Sequence, residues 1–314
     1  MLYPRHLTAG ALRRVLILSL LILVAGGALA LATGAVAQTP AAAARAAFAS
    51  DRLSVEVVGQ GPDVILIPGF GSSREVWRAT AERLKATHRV HLVQLAGFAG
   101  EPWAQGDGAF VQPVVDELHR YVAEQRLGSP AVVGHSMGAL VGLMLAQQHP
   151  GDVGKLMSVD SLPFFSALYG PTATAESAAP FAEQAAVGIL STPDEAFRAG
   201  QARSAEGYSR DPATRAAMIE WALASDRRAM ASAIKDVMTT DARPGLPAMT
   251  TPVTALYAAD ANGGAPAMMA EAMWSREYAT LPGVSLIRVD DSRHFIMADQ
   301  PERFATLLDA FLAE

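Results

Sequence analysis

"PAVVGHSMGAL", residues 130–140, joins a short apolar run to a helix-like pattern through Gly134-His135-Ser136-Met137-Gly138. A Gly-x-Ser-x-Gly pentapeptide alone is a weak signal, so its surroundings decide what Ser136 is. A serine presented for attack needs a strand, a sharp turn and a helix directly behind, with glycines two residues to either side so that strand and helix can approach closely. Gly134 and Gly138 stand in those places, between a strand at Ala131–Val133 and a helix running to His149, where Pro150-Gly151 stops it.

Outward from this turn the chain alternates strands and helices. Leu53–Val58 reads as an outer strand and Val64–Ile67 as a β-branched run buried on both faces. Pro68-Gly69-Phe70-Gly71 then breaks the chain, and Ser72 and Glu75 have capping-box spacing for a helix that buries Val76, Trp77, Ala81 and Leu84. Further strands are expected at Val90–Leu95, Leu156–Val159, Val253–Tyr257 and Val284–Val289, with helices at Val111–Gln125 and Pro301–Leu312. This order predicts an α/β fold, a mostly parallel sheet with helices on both faces. Residues 161–251 interrupt it with an Ala-rich segment lacking any β run, read as a helical cap inserted into one domain, 52–314.

The chain has 314 residues, 51% hydrophobic and 18% charged, a formal charge of −6 and no cysteine. That composition describes a packed globular protein and argues against a nucleic-acid partner; disulfides and thiolate metal sites are excluded. Residues 1–37 carry Arg5, Arg13 and Arg14, an apolar run from Val15 to Ala32, and the small-residue motif Ala35-Val36-Ala37. They read as an export signal cleaved after Ala37, the alternative being an uncleaved inner-membrane anchor; either places the rest of the chain in the periplasm or beyond it. Residues 38–51, opening "QTPAAAARAAFAS", are an Ala-rich linker. The sequence carries no signal of oligomeric state.

A serine hydroxyl needs a base, and the base an orienting acid. His6 lies in the leader; His88, His91, His119 and His149 flank or sit in regular elements and read as structural; His135 is expected to point away from Ser136. His294, in "VDDSRHFIMADQPERF", follows the last strand and can reach over the carboxyl edge of the sheet, where groups at open α/β sites gather. Asp260, closing "VTALYAAD", is the expected acid because it stands at the carboxyl end of the strand after the insertion, the edge where functional groups on open α/β sheets collect. Asp160, at an equivalent strand end, is the alternative. Asp290 and Asp291 are read as ordering the histidine loop. Two backbone N–H groups, of Met137 after the serine and of Phe70 in the glycine turn, are expected to form an oxyanion hole.

Together "ILIPGFGSS", "VVGHSMG", "VTALYAAD" and "SRHFIMADQPERF" resemble the oxyanion turn, elbow, acid strand and histidine loop of α/β-hydrolase fold enzymes of the AB hydrolase-1 type, over Leu53–Leu312. The resemblance implies a serine hydrolase acting through an acyl-enzyme, an esterase or lipase-like enzyme on small to medium apolar acyl esters. It implies no metal and no organic cofactor. Aminopeptidase-type amide cleavage, carbon–carbon bond hydrolysis, and a silent membrane-tethered binding protein are its alternatives. Phe164, Phe165, Leu168, Tyr169, Met218, Trp221 and Met230 mark the apolar side of the cap, most of them expected as packing. Met268, Met269, Met273 and Trp274 are expected as core.

Overall fold

The computed structural model describes residues 48–314, which fall within one compact unit, Arg45–Glu314. The leader, and the linker up to residue 47, lie outside the described residues. Seven strands form one sheet: β1 (Leu53–Val58), β2 (Asp63–Ile67), β3 (Arg89–Leu95), β4 (Ala131–His135), β5 (Lys155–Val159), β6 (Val253–Ala259) and β7 (Ser285–Asp290). Their spatial order is β1-β3-β2-β4-β5-β6-β7, with β1 antiparallel to β3 and the other pairs parallel.

The strands separate two apolar layers because their side chains alternate across the sheet. Ile65 and Ile67 of β2 pack in the cluster that holds Val114, Val115 and Leu118 of α2 (Val111–Glu124) and Leu140 and Leu143 of α3 (Met137–Gln148). Val64 and Leu66 pack on the opposite side with Ala81 and Leu84 of α1 (Arg78–Leu84). Burial on both faces explains why the central strands read as unbroken apolar runs.

Between β5 and β6 the chain builds four helices, α4 (Ala175–Ser191), α5 (Asp194–Tyr208), α6 (Pro212–Ala224) and α7 (Arg227–Thr239). Ala229, Met230, Ala233 and Val237 of α7 join the cluster that α2 and α3 share with the sheet. After β6 come α8 (Ala267–Glu277) and, beyond β7, the short α9 (Ile296–Asp299) and α10 (Pro301–Ala313). Phe304, Leu308 and Phe311 of α10 complete the second layer. No helix among the described residues is long and apolar enough to cross a membrane.

One local expectation is corrected. The segment after the glycine turn starts as a 3₁₀ turn, Arg74–Trp77, capped by Ser73, whose hydroxyl accepts from the Glu75 amide at 3.2 Å. Ser72 is not the cap; its hydroxyl donates to the Phe70 carbonyl at 3.3 Å.

Gly138 fixes how closely α3 approaches β2. A Cβ there would stand 2.4 Å from the Ile67 carbonyl oxygen and 2.6 Å from that of Pro68, and both are backbone atoms that cannot swing aside. Gly188, inside α4, has open space around it. In chemical denaturation Gly138→Ala is therefore expected to lower the unfolding free energy by about 2 kcal/mol or more. Gly188→Ala should leave it unchanged or raise it by about 0.5–1 kcal/mol.

Candidate active site

Ser136 stands between β4 and α3 at φ 54°, ψ −122°, a conformation that non-glycine residues rarely adopt. The surrounding bonds over-determine it. Its amide donates to the Val159 carbonyl at 3.0 Å, and its own carbonyl accepts from Ala139 at 2.9 Å and Leu140 at 3.2 Å. Its neighbour Met137 opens α3, so the Met137 N–H is among the helix donors without an intrahelical acceptor. The Pro68–Gly71 turn lies directly against this corner: a Cβ on Gly69 would come within 3.1 Å of Ser136 Cβ. Phe70, Ser136 and Met137 all line one cavity at the carboxyl edge of the sheet.

The register of β4 and β5 sets the next residue. His135 pairs with Val159, so Asp160 follows β5 at the level at which Ser136 follows β4. Asp160 also has positive φ, 48°, and its amide donates to the Leu256 carbonyl at 2.8 Å. One carboxylate oxygen accepts from the Ala258 amide at 2.9 Å; the other lies 2.7 Å from Nδ1 of His294. A carboxylate only accepts, so Nδ1 carries a hydrogen, and in the neutral imidazole Nε2 of His294 then keeps the lone pair. Ser136, Asp160 and His294 thus border the same cavity.

The carboxylate on His294 is therefore that of Asp160, and the expected contact from Asp260 is not made. Asp260 follows β6, one strand farther from Ser136, and its side chain is fully buried. Its oxygens accept from Arg293 Nε at 2.9 Å, Arg210 Nη1 at 3.4 Å and the Asn262 amide at 2.9 Å. Burial pushes its pKa up, but the Asn262 amide and the two guanidiniums outweigh that and hold the carboxyl below its ordinary value of 3.8. Arg293 also donates to the Asn262 carbonyl at 2.8 Å and to the cap carbonyl of Glu206. Asp260 holds the residue before the histidine, not the histidine. Asp290 pairs with Arg288 and Asp291 with Arg210.

His135 makes its polar contact with the histidine loop. It is buried, with its ring 4.5 Å from that of His294, and its Nε2 lies 3.0 Å from the His294 carbonyl oxygen. It is the last residue of β4.

The cavity has a volume of about 510 Å³. Phe165, Leu168, Met218 and Met230 of the cap line it, whereas Phe164 is buried beneath the Arg243 guanidinium. From α8 the cavity is lined by Met269, Met273 and Trp274, with Met269 largely exposed and Met268 more so, so the expectation of a simple core cluster does not hold. Periodicity marked their helical face without showing that it meets a cavity instead of packed side chains. His119, His149 and Asp152 are the one His/acid group among the described residues with metal-ligand spacing. They gather at the opposite end of α3, with His119 Nδ1 2.6 Å from Asp152 and the two rings stacked at 3.7 Å. Stacked parallel rings do not aim their nitrogens at a common point.

The profile of the alpha/beta hydrolase family matches residues 64–307. The chain belongs to that family. Among curated proteins it is similar to pimeloyl-[acyl-carrier protein] methyl ester esterases. That of Aeromonas hydrophila is 38% identical over 116 residues, 37% of this chain and 44% of the relative; that of Vibrio atlanticus is 34% identical over 122 residues, 39% and 45%. The match spans less than half the length of these relatives. Among solved structures, an enol-lactonase from Burkholderia xenovorans has a TM-score of 0.69 at 17% identity, covering 83% of this chain and 96% of that one. A thermophilic esterase from Thermogutta terrifontis has 0.68 at 22%, covering 83% and 93%. At these identities the two structures speak for the shared fold of the family.

The two aspartates make opposite predictions. Asp160→Asn should lower kcat on a p-nitrophenyl ester by about 10³-fold or more, because the amide no longer fixes the useful tautomer. Asp260→Asn should spare most of kcat and cost stability, about 1–3 kcal/mol, by removing the buried carboxylate that accepts from the partly exposed Arg293 and Arg210. Because the Asp260 pKa is depressed on folding, its contribution is present above about pH 4 and lost as pH falls through the lower folded value. Acid titration of thermal stability should therefore show a steeper loss in the wild type than in Asp260→Asn.

Proposed function

We propose that this hydrolase cleaves carboxylic esters of small to medium apolar acyl groups, with Ser136 as nucleophile, His294 as general base and Asp160 as the residue that orients His294. The observation that carries the reading is the 2.7 Å bond from Asp160 to His294 Nδ1, which leaves Nε2 as proton acceptor at the rim of the cavity that Ser136 enters on a strained backbone. In the reaction Ser136 Oγ attacks the ester carbonyl carbon while its proton passes to His294 Nε2. The carbonyl oxygen takes the negative charge, for which the Phe70 and Met137 amides are the donors. Collapse breaks the bond to the alcohol oxygen, which leaves with the proton from His294; water, deprotonated by the same imidazole, then releases the acid from Ser136.

The lining of the cavity favours an acyl group without charge. Apolar side chains, among them Leu162, Phe165, Met218 and Met230, outnumber polar ones on the cap side; the lining Arg293 is already bonded to Asp260, and the single acid among the described lining residues is Asp160, already committed to His294. A substrate bearing an α-ammonium group would find no free carboxylate there, which disfavours the aminopeptidase reading. The relatives named as methyl ester esterases, although matched over part of their length, also support ester cleavage. Work outside the inner membrane, or tethered to it, belongs to the same proposal and is supported by the basic and apolar pattern of residues 1–37.

The test combines fluorophosphonate labelling with a panel of p-nitrophenyl esters of increasing acyl length and aminoacyl anilides. Wild type should label and hydrolyse the esters; Ser136→Ala should do neither, and His294→Ala should lose at least about 10³-fold in kcat. Labelling that survives in Ser136→Ala, or turnover confined to the anilides, contradicts the proposal.

A further inference from the structure

From the contacts around the buried imidazole before Ser136, we infer that His135 is a positioning residue: its neutral ring ties the backbone of His294 to the elbow and the glycine turn. The inference rests on the reading of Ser136 and His294 as nucleophile and base. His135 has 1% of its surface exposed and touches all three segments of the site. It precedes Ser136 in the chain; its Nε2 stands 3.0 Å from the His294 carbonyl; its Nδ1 faces Gly69, where an added Cβ would come within 3.0 Å. Phe295 packs on the same ring, centroids 4.6 Å apart.

The protonation state follows from the partners. A carbonyl oxygen only accepts, so Nε2 carries a hydrogen and donates it. Nδ1 is buried and has no hydrogen-bond partner, so a proton there would be buried without an acceptor. Burial, with the nearby His294 ring adding to it, holds the His135 pKa well below the ordinary 6.5. The titratable groups closest to its ring are His294 and, through it, Asp160. A neutral neighbour matters because His294 itself becomes cationic when it takes the serine proton, and a second cation 4.5 Å away would oppose that step.

His294 is thus held at two places. Asp160 fixes the ring through Nδ1, and His135 fixes the main chain through the carbonyl. Since His135 also abuts Gly69, displacement of its ring would be transmitted to the turn that carries the Phe70 amide. An error of an ångström in such an arrangement is enough to cost about 10²-fold in rate.

The experiment compares His135→Phe, which keeps a ring but loses the donor, with His135→Gln, whose side-chain amide nitrogen reaches about as far as imidazole Nε2. In the full chain, His135→Phe should lower kcat and the fluorophosphonate inactivation rate by about 10- to 100-fold with KM within about twofold. His135→Gln should recover most of that loss. A folded His135→Phe protein with wild-type kcat, or equal losses in both variants, overturns the inference. A readout independent of variant folding is nitrogen NMR of ¹⁵N-histidine-labelled protein. His135 should keep the neutral Nε2–H form as the pH is lowered through 6.5, where an ordinary imidazole is half protonated; protonation at Nδ1 with an ordinary midpoint contradicts it. Because this measurement reads no turnover, it separates failure of the His135 inference from failure of the nucleophile assignment.

Discussion

The site depends on one close approach, that of the start of α3 to the end of β2. The absence of a side chain at Gly138 lets the helix backbone lie against the carbonyls of Ile67 and Pro68, and the absence of one at Gly69 lets the following turn lie against Ser136. With a Cβ at either position the turn bearing Phe70 and the corner bearing Ser136 would separate. The positive φ of Ser136 is the local cost of turning from strand to helix without an intervening loop, and the hydrogen bonds at both ends of the residue maintain it. The glycines of the Gly-x-Ser-x-Gly segment therefore bring together two backbone segments that are far apart in sequence.

Around that corner two aspartates at strand ends perform different work. Asp160 stands one strand from the serine, accepts from a backbone amide with one oxygen and holds the histidine ring with the other. Asp260, a strand farther out, is saturated by Arg293, Arg210 and the Asn262 amide. Through Arg210, which lies between α5 and α6, and through the bond from Arg293 to Glu206, the same carboxylate joins the histidine loop to the cap. Asp299 reinforces this junction by accepting from Ser209 Oγ at 2.6 Å and from the Arg293 amide at 2.8 Å. The cap is anchored to the loop carrying His294, so the wall of the cavity and that imidazole share one support.

Much of this was legible in the sequence, for identifiable reasons. Strands buried on both faces leave apolar runs, and the alternation with helices showed a parallel sheet together with its interruption by the cap. The environment of Ser136 could be read because glycine spacing is a local requirement. The carboxylate that meets His294 could not be read so directly. Asp160 and Asp260 both close strands, and distinguishing them needs the strand order and the fact that a guanidinium next to the histidine claims one of them. Arg293, adjacent to His294, was the available signal: a buried carboxylate requires a cation, and Arg293 supplies it to Asp260. The contact of His135 with the His294 loop was likewise hidden, since the alternation along β4 gives a face but not the loop that covers it. The cavity-lining role of Met269 and Met273 was hidden too, because helical periodicity does not distinguish packing against side chains from packing around a void.

The central claim is that Ser136 becomes covalently acylated while the Asp160–His294 pair moves its proton. It is tested most directly by rapid acid quench of the protein during turnover of a slow p-nitrophenyl ester, followed by intact mass and peptide mapping. The account predicts an added acyl mass on the peptide containing Ser136, formed at the rate of the p-nitrophenol burst. Acylation at another residue, or a burst with no covalent species on Ser136, would contradict it.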